Sequence, residues 1–132
     1  QPYARLAASR QTDDAVVTRT QLWAAQNYHQ PNPVRAMAEV SGLSERAFVR
    51  RFRQVTGLSP LAYVQRIRIE EAKQMLEATA LPVEEVAEAL GYEDASFFSR
   101  LFRREVQLSP AAYRRKFGGL REVLRLAREE AI

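Results

Sequence analysis

Apolar residues recur at helical spacing over most of the chain, and nowhere do they alternate with polar ones for the length a strand needs. Residues 15–28 predict an amphipathic helix with Val16, Leu22, Trp23 and Tyr28 as core contributors. Pro33 opens a short helix over 34–40, and Gly42 ends it. Ser44 then caps a helix of about 12 residues that Gly57 closes. Ser59-Pro60 is an N-cap followed by proline at the first helical position, and 60–79 reads as one continuous helix, about 30 Å long at 1.5 Å per residue. The same grammar returns further on: Pro82 opens, Gly91 turns, Asp94 caps, and Ser109-Pro110 starts another helix. Gly118-Gly119 breaks the chain, and 120–131 predicts a last helix with Leu120, Val123, Leu124 and Ala127 on one side.

The two sets of signals are a duplication. Residues 34–43 align with 83–92, and 44–66 with 94–116, giving 13 identities over 33 positions. The most informative are Phe48/Phe98, Arg50/Arg100, Phe52/Phe102, Arg53/Arg103, Ser59/Ser109, Pro60/Pro110 and Tyr63/Tyr113. Two copies are too few for a solenoid and point to a duplicated lobe. The expected fold is therefore all-α: two helix–turn–helix lobes joined by a long linker helix, plus an extra C-terminal helix. The expected divisions are 1–14, a linker or arm; 15–58, the first lobe; 59–79, the linker helix; 80–117, the second lobe; and 118–132, the extension.

On a helical wheel at about 100° per residue, Phe48, Phe52 and Val55 share one side of the helix after Ser44, while Arg46, Val49, Arg50 and Arg53 share the other. After Asp94, Phe97, Phe98, Leu101 and Phe102 take the buried side, and Ser96, Ser99, Arg100 and Arg103 the opposite one. Such a stripe suits a major groove, which is about 12 Å wide and admits one α-helix. Arginine forks onto guanine O6 and N7, serine bonds several base edges, and an exposed valine lies against a thymine methyl. A single basic stripe is most often a solvated face; two at matching positions of a duplicated motif argue for duplex DNA. Successive major-groove segments on one face lie about 34 Å apart, so a connecting helix of about 30 Å would let one chain read two of them without dimerising. Arg114, Arg115 and Lys116 form a candidate phosphate patch. Glu84, Glu85 and Glu88 sit early in a helix, where the dipole favours anions, with the surface turned from DNA and open to a protein partner. Trp23, Tyr63 and Tyr113 read as packing residues, the two tyrosines with a phosphate contact as the alternative, and His29 as a solvated or capping residue.

Composition narrows the classes. The chain has 132 residues, 46% hydrophobic and 27% charged, which excludes wholesale disorder. Its net charge is +4, and only Lys73 and Lys116 among its 20 basic residues are lysine. That bias favours forked phosphate and guanine contacts, though it also follows from a GC-rich genome. There is no cysteine and only one histidine, so no cofactor or ordinary metal site is expected. No run approaches the roughly 20 apolar residues of a membrane helix, so no membrane association is expected. No signal peptide opens the chain, and without an initiator Met it is expected to be a fragment or processed chain. Paired carboxylates in a cleft, a nucleophile with its base, and a Gly-rich phosphate loop are all missing, so an enzyme is not expected. RNA binding is disfavoured, because A-form RNA hides its major groove and no stacking set of aromatics is evident. The competing class is a helical protein-interaction module whose basic faces dock an acidic partner.

The stretch LPVEEVAEALGYEDASFFSRLFRREVQLSPAAYRRKF, with its Gly-Tyr turn, paired Phe, basic residue, Ser-Pro and Tyr-Arg, resembles the signature of AraC/XylS-type bacterial transcription regulators. The resemblance covers residues 15–117. It implies a seven-helix, two-lobed DNA-binding domain of a cytoplasmic, nucleoid-associated regulator, more often an activator than a repressor, that partners operator or promoter DNA and RNA polymerase. It implies base reading from Arg46, Val49, Arg50, Ala95, Ser96, Ser99 and Arg100, with Arg53 and Arg103 on phosphate. Residues 14–16 and 21–23 resemble the subgroup with an amidotransferase-like sensor; that sensor and dimerisation domain is expected to be absent from this chain. Two departures stand out. Gln107 occupies the place Gly57 holds in the first copy, so that helix end is expected to be strained or differently capped. The last helix exceeds the motif and either packs on the second lobe, meets a partner or second copy, or stays disordered.

Overall fold

A computed structural model describes residues 14–130, apart from the side chains of 120–122. The arm expected over 1–14 thus lies outside the described residues except for Asp14. Within them the chain is all-α and without a strand, as expected. The helices are α1 (Ala15–Asn27), α2 (Pro33–Ser41), α3 (Glu45–Thr56), α4 (Pro60–Ala78), α5 (Val83–Ala89), α6 (Ala95–Val106), α7 (Pro110–Phe117) and α8 (Leu120–Glu130). The chain forms two compact units that divide between Glu70 and Glu71, so α4 contributes residues to both.

In the first unit, Val17, Ala24, Met37, Ala38, Phe48, Phe52, Tyr63, Val64 and Ile67 form one buried cluster. The inward stripe of α1 is Val17, Thr20, Gln21 and Ala24, at i, i+3, i+4 and i+7. The core contributors expected there need correction. Leu22 is 61% exposed, Val16 is half-buried, and Trp23 and Tyr28 only lean on the cluster. The stripe runs through two polar residues, and Thr20 suits the inside because its hydroxyl donates to the Val17 carbonyl at 2.7 Å. Gly42 and Gly57 end α2 and α3 in the left-handed region, at φ 77° and 82°, where a Cβ is strained. Ser44 and Ser59 cap α3 and α4, accepting from Ala47 N at 3.2 Å and Ala62 N at 3.1 Å. Arg68 is buried and ties α4 to the end of α1 through the carbonyls of Tyr28 (2.7 Å) and Gln30 (3.0 Å).

The second unit repeats the scheme. Val86, Ala87, Leu90, Phe98, Leu101 and Phe102 are buried, Asp94 caps α6 by accepting from Ser96 N at 2.8 Å, and Ser109 caps α7 by accepting from Ala112 N at 3.1 Å. An aromatic row recurs in both units. Phe48, Phe52 and Tyr63 stand at centroid spacings of 5.6 and 5.5 Å, and Phe98, Phe102 and Tyr113 at 5.8 and 5.6 Å. The Tyr113 hydroxyl donates to the Glu77 carboxylate. On α8, Val123, Leu124 and Leu126 are exposed, so at these positions its apolar side does not pack on the second lobe.

Candidate nucleic-acid interface

What α3 and α6 bury decides which face of each turns outward. Phe48, Phe52 and Thr56 are buried on α3, and Phe98, Leu101 and Phe102 on α6. The arcs opposite carry Arg46, Arg50, Arg53 and Gln54 on α3 and Ser96, Arg100, Arg103 and Arg104 on α6, all exposed. The two arcs are in register: adding 50 to each α3 position gives its α6 counterpart. Gln54 and Arg104 are missed by the sequence pattern, yet each lies about 40° from the central arginine of its helix. The signal was available, since 50 and 54, like 100 and 104, are i, i+4 neighbours.

Other expected site residues lie differently. Val49 is not exposed; it is half-buried against the first core cluster. The cause is Thr56, whose hydroxyl donates to the Phe52 carbonyl at 2.8 Å and accepts from Leu58 N at 3.1 Å. With Thr56 satisfied inside, the buried stripe extends over 49, 52 and 56. Ser99, in the same register as Val49, is half-buried, and so is Ala95. Phe97, expected inside, is 45% exposed. It lies about 100° from Phe98, off the stripe at 98, 101 and 102, with its ring 6.0 Å from Tyr92. An apolar edge therefore stands beside Ser96 and Arg100.

On α7, Arg115 and Lys116 are exposed. Arg114 turns away from them: half-buried, it donates through Nε to the Leu76 carbonyl at 3.3 Å and belongs to the packing of α7 on α4. Tyr63 is fully buried, as the packing role requires. Exposed cations here are matched by exposed acids elsewhere: Glu84, Glu85 and Glu88 lie on the outside of α5.

One further arginine of α3 is taken out of the arc. Arg51 forks onto Asp14, with Nε 2.8 Å from Oδ2 and Nη2 3.0 Å from Oδ1. The same Oδ1 caps α1, accepting from Val17 N at 3.1 Å. Arg51's hydrogen bonds hold the Asp14 carboxyl below the usual carboxylate range; partial burial works against this, and the Val17 N–H adds to it. The same hydrogen bond raises the Arg51 guanidinium. Among the described residues no group of acidic or histidine side chains could hold a metal ion, and no helix is long and apolar enough to cross a membrane.

Comparison with known proteins agrees with this geometry. A helix-turn-helix domain family matches residues 37–116. The MmsAB operon regulatory protein of Pseudomonas aeruginosa is 35% identical over 80 residues, 61% of this chain and 26% of its own length. The C-terminal domain of AraT, a response regulator from Geobacillus stearothermophilus, superposes with a TM-score of 0.75 at 29% identity, covering 80% of this chain and 88% of that one. The DNA-binding domain of AdpA, a global transcriptional factor crystallised with a target DNA, superposes with a TM-score of 0.72 at 34% identity, covering 76% and 91%. The chain spans between about a fifth and a third of the length of the curated relatives it matches.

Proposed function

Because this chain belongs to the AraC-type helix–turn–helix family, a family of DNA-binding transcription regulators and not an enzyme class, we propose that it reads duplex DNA sequence-specifically through α3 and α6. Each helix lies in a major-groove segment, and the two segments are adjacent. The observation that carries this reading is the matched register of Arg46, Arg50 and Arg53 with Ser96, Arg100 and Arg103 on exposed arcs. Arg50 and Arg100 fork onto guanine, Arg46 and Ser96 bond neighbouring base edges, and Gln54 suits adenine N6 and N7. Phe97 takes the apolar contact with a thymine methyl that Val49 is too buried to make, while Ala95 and Ser99 sit at the margin. Arg53, Arg103, Arg115 and Lys116 hold phosphate. Effector sensing, dimerisation and any contact with RNA polymerase belong to the whole regulator, working on the nucleoid in the cytoplasm.

The test is selection of binders from a randomised duplex of about 30 base pairs at near-physiological salt. Two enriched short boxes about one helical turn apart support the reading. Binding without enrichment, equally competed by an acidic protein surface, favours the protein-docking alternative.

A further inference from the structure

We propose that the Asp14–Arg51 pair is a positioning latch for the first reading helix: it sets the rotation of α3 about its axis and thereby the aim of Arg46 and Arg50. The inference rests on the DNA-reading proposal above and deepens it.

The internal repeat supplies the control. Position 51 corresponds to position 101. There the second copy carries Leu101, 4% exposed and part of its buried stripe. The flank of α6 is thus held by a core leucine. The same flank of α3 carries an arginine that cannot enter a core, so its hold comes from Asp14 at the start of α1. A forked guanidinium–carboxylate contact restricts distance and plane together, unlike a point charge. Asp14 is itself fixed, because its Oδ1 also caps α1 and its side chain is only 15% exposed. Arg51 adjoins Arg50, so a rotation of α3 that breaks the fork swings Arg50 by the same angle. The Arg51 side chain is 43% exposed, so the fork adds only modestly to global stability. The latch is read in the ratio of intact to scrambled sites, which a modest loss of stability leaves unchanged.

The experiment uses the selected two-box duplex and compares the affinity for the intact site with that for a site with either box scrambled. The box whose discrimination falls in Arg50→Ala is the one α3 reads. Asp14→Asn keeps an N-cap but removes the carboxylate; Arg51→Lys keeps the charge but not the fork. Each is expected to lose about tenfold of the discrimination at the α3 box, the scale of one good bidentate base contact. Discrimination at the other box and the salt dependence should stay at wild-type values, and both variants should remain folded at the assay temperature with at most a small fall in the unfolding midpoint. Full retention at the α3 box in both variants overturns the latch, as does equal loss at both boxes. Retention in Arg51→Lys alone reduces the pair to a charge contact and also overturns it. A wild-type protein that discriminates neither box removes the DNA reading itself, and the latch with it.

Discussion

Gln107 holds φ at 71° where Gly57, its counterpart, holds 82°. Its N–H still closes α6 on the Arg103 carbonyl at 2.9 Å, so the helix ends as it does in the first copy but with a Cβ in the left-handed region. That conformation costs roughly 1–2 kcal/mol for an L-residue. The exposed bond from the Gln107 side chain to the Arg104 carbonyl, 2.8 Å, offsets part of it. Relief of that strain, about 1–2 kcal/mol, exceeds the extra chain entropy glycine loses on folding, about 0.5–1 kcal/mol. Gln107→Gly should therefore stabilise the protein by a few tenths of a kcal/mol up to about 1 kcal/mol in urea unfolding; a loss of stability would show that the side-chain bond and glycine's entropy outweigh the backbone strain. Phe98 and Phe97 give a second check at this scale. Phe98→Ala empties a fully buried site and should cost about 3–5 kcal/mol. Phe97→Ala should cost far less, yet abolish any penalty for replacing thymine by uracil in the α6 box. Wild-type indifference to that replacement sinks the methyl contact. These neighbours also mark what hydropathy alone left unread. A wheel built on apolar residues ignores Thr20 and Thr56 and so misplaces Leu22 and Val49, while Phe97 is misplaced because it stands about 100° from Phe98, off the stripe at 98, 101 and 102. Both threonines are buried with their hydroxyls on their own helix's carbonyls, and such local satisfaction lets a polar residue define an inward stripe.

Elements were the most legible level, because their ends carry chemistry that neighbours in sequence can supply. Ser44, Ser59, Asp94 and Ser109 each accept a backbone N–H two or three residues on, as their spacing before proline or the apolar stripe predicted. Replacing such a cap by alanine costs about 1 kcal/mol. Ser59→Ala and Ser109→Ala should each lower unfolding stability by that amount, and the double variant by the sum if the two caps act independently. A double variant well short of the sum would show the two helix starts to be coupled. The aromatic rows, by contrast, were visible only as identities: nothing local says that Tyr63 and Tyr113 stand edge-on to Phe52 and Phe102. The last helix shows the other limit. Its amphipathic pattern predicts a helix correctly, but a pattern names a face and not what covers it. In α8 that face, at Val123 and Leu124, is exposed.

For the whole molecule, the duplication made two lobes legible from sequence, since a repeated pattern of caps and phenylalanines demands two equivalent cores. Charge is the property least readable from totals. A net +4 from 20 basic and 16 acidic residues is modest, and a uniform distribution would attract DNA weakly. The structure sorts it locally: the outward arcs of α3 and α6 carry exposed arginines, the exposed Glu45 and Glu105 of the same helices lie off those arcs, Arg115 and Lys116 extend α7, and Glu84, Glu85 and Glu88 occupy α5. Four of these cations, Arg53, Arg103, Arg115 and Lys116, are assigned to phosphate. Each phosphate neutralised releases counterions and contributes about −0.9 to the slope of log K against log salt, so these four predict a slope of about −3.6. Replacing Arg115 and Lys116 by alanine should halve it to about −1.8, weaken intact and scrambled sites equally, and leave the preferred sequence unchanged. A preserved slope would take both residues off the phosphate backbone. A changed sequence preference would place α7 at the bases instead.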